Sequence, residues 1–225
     1  MFDYRGWIEE AERFTISINR LKNDFEKVSV KASVQPPLDE QTLQDLVDKI
    51  GVYVPKELQR FWVQGARSCN LYYLCDDAKG DMAEREKHIF GDNGSVWGGV
   101  YFFDPLHLVN QLDICKGWAA MFEEYSDSTQ AAIWLHSLPF QRIANGDYLG
   151  LDISAEQDDP PVVYLAHDGD SQIIAPSFTS FLQTWADLCY FGPESWMIDL
   201  FQAENGFLDA TSPQAALWRE MLRAR

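Results

Sequence analysis

Five carboxylates, Asp147, Asp152, Glu156, Asp158 and Asp159, crowd into the stretch 147–159. Two carboxyl groups held close together, with their pKa values driven apart, can act as general acid and general base in hydrolysis. A carboxylate-dependent hydrolase or small-ligand binder is therefore one reading of this stretch, and spatial separation decides it. The four histidines, His88, His107, His136 and His167, are scattered. His167 and Asp168 are neighbours, and along an extended segment neighbours point to opposite faces, which suits a turn better than a general base. Cys69, Cys75, Cys115 and Cys189 form no Cys-x-x-Cys pair, and Cys69 and Cys75 with His88 and His107 have the wrong spacing for zinc, so the cysteines read as buried thiols. Asp168 and Asp170 resemble a fragment of a calcium loop without its other ligands, and a solvated turn is the plainer reading. Residues 146–150 (Gly-Asp-Tyr-Leu-Gly) do not lead into a helix and cannot cradle a pyrophosphate. Phosphate loops, zinc helices and nucleophile elbows do not occur. The expectation is a protein without catalytic residues, cofactor or bound metal.

Charge carries more information. The 225 residues hold 18 Lys+Arg against 35 Asp+Glu, a formal net charge of −17. Between Arg142 and Arg219 there is no basic residue except His167, and twelve acids: Asp147, Asp152, Glu156, Asp158, Asp159, Asp168, Asp170, Asp187, Glu194, Asp199, Glu204 and Asp209. Twelve of the seventeen net negative charges thus come from one third of the chain. A one-sign field of this kind repels nucleic-acid phosphates and anionic lipid, and steers basic partners toward the surface. An ordinary acidic surface that serves solubility is the alternative. The candidate contact residues are Asp147, Tyr148, Asp152, Glu156, Asp158, Asp159, Tyr164, Asp168 and Asp170, the tyrosines as interface anchors. Trp185, at helical spacing, belongs to the core. No apolar run reaches the ~18 residues a membrane span needs, and residues 1–10 lack a basic start followed by an apolar stretch. The protein is expected to be soluble and cytoplasmic, with no membrane or direct nucleic-acid contact.

The elements that must position these residues follow from periodicity. With 46% hydrophobic and 14% aromatic residues, the chain can bury a sizeable core. Phe14, Ile18, Leu21 and Phe25 repeat at helical spacing, and a linker ending at Pro36-Pro37 follows, so residues 1–37 read as a helical add-on. Leu43, Leu46, Val47 and Ile50 mark a helix stopped by Gly51, and Pro55 opens a second, with Leu58, Phe61 and Trp62, that ends at Gly65. Residues 70–75 and 99–103 read as strands, with 76–93 between them as a loop or short helix. A helix starts at Asp104-Pro105, with Leu108, Leu112 and either Ile114 or Cys115 facing inward. Residues 139–144, 148–153, 162–166 and 173–175 form a meander whose turns fall at Asn145-Gly146 and Asp168-Gly169, dipeptides favoured where positive φ is needed. Ser177 caps a helix carrying Phe178, Phe181, Leu182, Trp185 and Cys189 and ended by Gly192-Pro193. Helical pieces follow near Trp196 and after Ser212-Pro213.

This order resembles the SUKH superfamily, the SMI/KNR-type domains. The resemblance rests on Gly51, Pro55, Leu58, Phe61 and Gly65, on Asn145-Gly146-Asp147-Tyr148-Leu149 with Asp152, on Val162-Val163-Tyr164 and His167-Asp168, and on Ser177-Phe178 with Phe181-Leu182. Gln64-Gly65-Ala66 stands where members often carry an Asn-Gly-Gly-like turn. The implied architecture is one α+β domain over 1–225, with a family-like core at 38–191 and helical extensions at 1–37 and 192–225. Its centre is a largely antiparallel sheet of about five or six strands flanked by helices. The resemblance also implies a protein-binding role: bacterial members are mostly immunity proteins that neutralise toxins, and fungal ones are regulators or scaffolds. The expected partner is a basic toxin domain, for example of the nuclease type, whose substrate groove an acidic protein can occupy; a regulatory scaffold is the alternative. Oligomeric state is left open.

Overall fold

Period-two alternation of apolar residues builds the centre of the molecule, a seven-stranded sheet in the order β1 to β7, every neighbouring pair antiparallel. The computed structural model describes residues 1–91 and 95–223, so the end of the predicted 76–93 segment and the last two residues of the 192–225 extension lie outside the described residues. The strands are β1 (Phe25–Val34), β2 (Cys69–Ala78), β3 (Val96–Phe102), β4 (Ser137–Arg142), β5 (Tyr148–Asp152), β6 (Val162–Leu165) and β7 (Gln172–Ala175). The helices are α1 (Tyr4–Ser17), α2 (Glu40–Ile50), α3 (Lys56–Arg60), α4 (Asp81–Phe90), α5 (Leu108–Glu124), α6 (Ser128–Leu135), α7 (Phe178–Asp187), α8 (Ser195–Leu200) and α9 (Pro213–Arg223).

The expected five or six strands become seven because the predicted linker contains β1. Val28, Val30, Ala32 and Val34 alternate with Ser29, Lys31 and Ser33, a half-exposed edge-strand pattern, and pair along β2. The extensions are not add-ons in the packing sense. Trp7 of α1 stacks on Phe102 (6.2 Å between ring centres) and lies edge-on to Tyr190 (5.6 Å), and its indole N–H donates to the Leu182 carbonyl at 2.8 Å. At the other end of the chain, Trp218 of α9 is fully buried and donates to the Leu188 carbonyl at 2.7 Å. Both extensions share one hydrophobic core with the strands.

Two smaller expectations change, one open alternative is decided and one helix is added. The helix predicted to run to Gly192 stops at Asp187, because Cys189 and Tyr190 take left-handed backbone conformations (φ 58° and 53°) that turn the chain back onto β3. There Gly99 donates to the Tyr190 carbonyl at 2.6 Å, and the approach is so close that a Cβ on Gly98 would lie 2.2 Å from that carbonyl oxygen. The Asn145-Gly146 turn uses positive φ at Gly146 (106°), whereas the turn at Asp168-Gly169 does not. Inward on α5 is Cys115, while Ile114 is exposed. α6, which periodicity did not reveal, starts at Asp127, whose carboxylate accepts from the Gln130 amide at 3.0 Å.

The two faces of the sheet differ. The inner face is covered along its length by α1, α7 and the C-terminal helices, through Phe61, Phe102, Phe140, Phe178, Phe181 and Trp185. On the outer face α5 and α6 cover only β4 to β6, packing Cys115, Ala119 and Trp134 against Tyr148, Val163 and Leu165. The outer face of β1 to β3 keeps its side chains partly or fully exposed.

Candidate functional site

The residues expected to form one acidic face are dispersed by the antiparallel topology. β5 and β6 run in opposite directions, with Tyr148 opposite Leu165 and Leu151 opposite Val162. Asp147, Asp168 and Asp170 therefore sit at one end of these strands, and Asp152, Glu156, Asp158 and Asp159 at the other, with Asp152 about 17 Å from Asp147 for the five extended steps between them. Asp147 is thus separated from the other four carboxylates of the 147–159 stretch.

Three of the nine candidates are buried and so are removed from the expected contact face: Asp147, Tyr148 and Tyr164. Tyr148 faces outward from β5 but lies under α5, its hydroxyl donating to Gln111 Oε1 at 3.0 Å. Asp147 is the hub of a hydrogen-bonded clamp. Its Oδ2 accepts from the Tyr164 hydroxyl and from Asn145 Nδ2 (2.6 Å). Its Oδ1 accepts from the His167 amide (2.9 Å) and meets His167 Nδ1 at 2.6 Å. Burial pushes the Asp147 carboxyl up, and the bonds from Tyr164, His167 and Asn145 outweigh that and hold it below the ordinary value of 3.8. Burial and the same carboxylate raise the Tyr164 hydroxyl. The clamp ties the β4–β5 turn to the β6–β7 turn, and Trp118 of α5 lies over the His167 ring at 5.2 Å.

Asp147, His167 and Asp168 offer donor atoms within 4.8 Å of one another, the geometry in which a metal ion could be held. Asp147 Oδ1 and His167 Nδ1 already bind each other, so a cation would have to replace that bond. With His167 Nδ1 turned to Asp147, its Nε2 is the ring nitrogen left for other partners.

At the opposite end, Asp158 pairs with Lys56 (2.8 Å) and accepts from the Tyr53 hydroxyl (3.2 Å); the bond from Lys56 holds its carboxyl low. Its backbone carbonyl accepts from the Glu57 amide at the start of α3 (3.0 Å). Asp159 accepts from the Thr179 amide (3.0 Å) and hydroxyl, adding a second cap to α7 beside the Ser177 capping box. Asp152 is half-buried and turns its carboxylate to the Ser154 amide (2.9 Å). Glu156, Asp168 and Asp170 are exposed. Of the twelve acids between Arg142 and Arg219, Asp147 alone is buried. The four cysteines are buried and free, and burial pushes Cys69, Cys75 and Cys115 up to about 12 and Cys189 to about 11.

Sequence reasoning missed the open outer face of β1 to β3. A groove of about 450 Å3 crosses it, lined among others by Lys31, Asn70, Tyr72, Trp97, Tyr101 and Arg142. The signal for it lay in the strand register, which places Lys31 beside Tyr72 and Asn70 beside Tyr101. Single-strand alternation does not show those pairings.

A seven-stranded antiparallel meander, with helices on one face and on half of the other, defines the α+β class of this domain. Residues 37–184, or 148 of 225, match the SMI1 / KNR4 family (SUKH-1), and the chain belongs to that family. No curated protein matches it significantly. The match leaves out α1, β1 and everything after Thr184, the parts that complete the core and the edge of the sheet.

Proposed function

We propose that this chain is a non-catalytic protein-binding domain of the immunity type, which binds a basic toxin domain and neutralises it. Domains of this family generally bind protein partners. The observation that carries the reading is the acidic third of the chain: twelve carboxylates without a Lys or Arg, eleven of which keep surface access. Such a field accelerates encounter with a positively charged partner, and an array of carboxylates can occupy a groove built for phosphates. Glu156, Asp168 and Asp170 are the contact residues within the expected set that hold no strong intramolecular bond among those described.

The test is a tagged pull-down from native lysate at low salt with a high-salt elution. One stoichiometric basic protein whose toxic activity falls on addition of this chain supports the proposal. Retention that ignores salt removes the electrostatic part. A second reading, a regulatory scaffold of the same family, is favoured by the open aromatic face of β1 to β3, which suits partners of ordinary charge. Recovery of several such proteins, none of them toxic, selects it.

A further inference from the structure

The geometry points to a second docking surface, chemically opposite to the acidic one: the groove on the outer face of β1 to β3 takes an extended peptide of a partner protein in which an aromatic or large aliphatic side chain is flanked by Asp or Glu. This inference goes beyond the toxin reading and does not depend on it.

Three observations carry it. First, the groove is open and shaped. Tyr72 and Tyr101 stand on neighbouring strands on either side of Gly99, and Trp97 forms a wall. The Trp97 ring is fixed against Gly192, where an added Cβ would sit 2.4 Å from the indole, so that wall is preorganised. Its volume of about 450 Å3 falls within the ~300–1,000 Å3 range of ligand sites, enough for one anchoring side chain and the adjoining backbone.

Second, its charge is inverted relative to the molecule. No acidic residue lines the groove, although the chain holds 35 acids. Its two cations, Lys31 and Arg142, are exposed and make no ion pair among the described residues. Other exposed lysines of the same sheet region are neutralised locally, Lys27 by Asp77 and Lys79 by Glu26. Third, Asn70 offers a side-chain donor and acceptor without an intramolecular partner among the described residues, at the level of Tyr101. An amide so placed can bond a peptide backbone while the aromatic residues hold its side chain.

The full chain, immobilised, is panned against a random peptide library displayed on phage. Enriched peptides are expected to share an aromatic, Leu or Ile residue between acidic ones. A synthetic enriched peptide is then titrated by fluorescence anisotropy against variants whose thermal unfolding matches the parent. Tyr101→Ala and the pair Lys31→Glu with Arg142→Glu should each weaken binding about tenfold or more. The pair Asp168→Lys with Asp170→Lys should leave it unchanged while impairing capture of a basic toxin, which separates failure of this inference from failure of the toxin reading. No enrichment, enrichment of basic or proline-rich peptides, or equal affinity for Tyr101→Ala would overturn the proposal. Salt-sensitive self-association abolished by Lys31→Glu would assign the groove to a second copy and also overturn it.

Discussion

Asp147 shows how one side chain can change roles between sequence and fold. By position it is one more acid in an acidic run; by geometry it accepts four hydrogen bonds and joins two turns. Replacing it by Asn leaves an amide where Tyr164, Asn145 and two His167 donors need a carboxylate. The expected loss is about 2–3 kcal/mol in urea unfolding near neutral pH, the usual cost of leaving buried donors unsatisfied. Its carboxyl is held below the ordinary 3.8 in the folded state. The carboxylate therefore contributes stability at pH values above 3.8, and this is lost as pH falls through the folded value. The gap between parent and Asp147→Asn should narrow in acid; a gap of the same size at low pH would show that the carboxylate charge is not its source. Tyr164→Phe removes one partner and should cost about 1–2 kcal/mol.

Elements outside the family match complete the core. Helical spacing alone makes α1 an appendage, because it does not say what the apolar face of the helix meets. Trp7 meets Phe61, Phe102, Trp185 and Tyr190, side chains contributed by four other segments. Trp7→Ala should cost about 3–5 kcal/mol, measured by chemical denaturation, because a large cavity would open where helix and sheet join. Removing residues 1–24 should leave a chain without a cooperative thermal transition, whereas a separable extension would leave that transition nearly unmoved. β3 carries a second such constraint. Gly99 has φ 129°, and a Cβ there would lie 2.0 Å from the Leu71 carbonyl oxygen, so Gly99→Ala should prevent normal pairing of β2 with β3. Soluble, cooperatively folding Gly99→Ala protein would contradict that geometry.

At the scale of the whole molecule, acids dispersed over one third of the chain coexist with a groove that no acid lines. The proposed toxin contact relies on long-range attraction by the acidic third, which is screened within ~8 Å at physiological ionic strength. Association with a basic partner should therefore slow steeply with added salt while dissociation changes less, a split that stopped-flow kinetics can read. Glu156→Lys combined with Asp168→Lys and Asp170→Lys should reduce the association rate about tenfold or more at low salt. The proposed groove between Lys31 and Arg142 combines aromatic contact with two exposed cations, so its affinity for an acid-flanked peptide should fall both on Tyr101→Ala and with added salt. No helix among the described residues is long and apolar enough to cross a membrane.

Much of the fold was legible because local rules decide it. Gly51 with positive φ ends α2, Pro55 opens α3, Ser177 caps α7, and Gly146 turns β4 into β5, each through a backbone preference that needs no distant partner. The family was legible for the same reason, since its motifs are turns and caps in a set order. β1 was not, because Phe25 continues the helical spacing of Phe14, Ile18 and Leu21, and an edge strand of Lys and Ser on one side signals weakly by itself. The acidic surface was legible only as composition. Charge adds along a chain whatever its path, but whether a carboxylate faces water, a lysine or a buried tyrosine depends on contacts between residues far apart in sequence. Asp158 found Lys56, Asp147 found Tyr164 and His167, and the groove arose between strands that register places side by side. Those pairings exist only once the sheet has closed its register and the helices have covered one and a half of its faces.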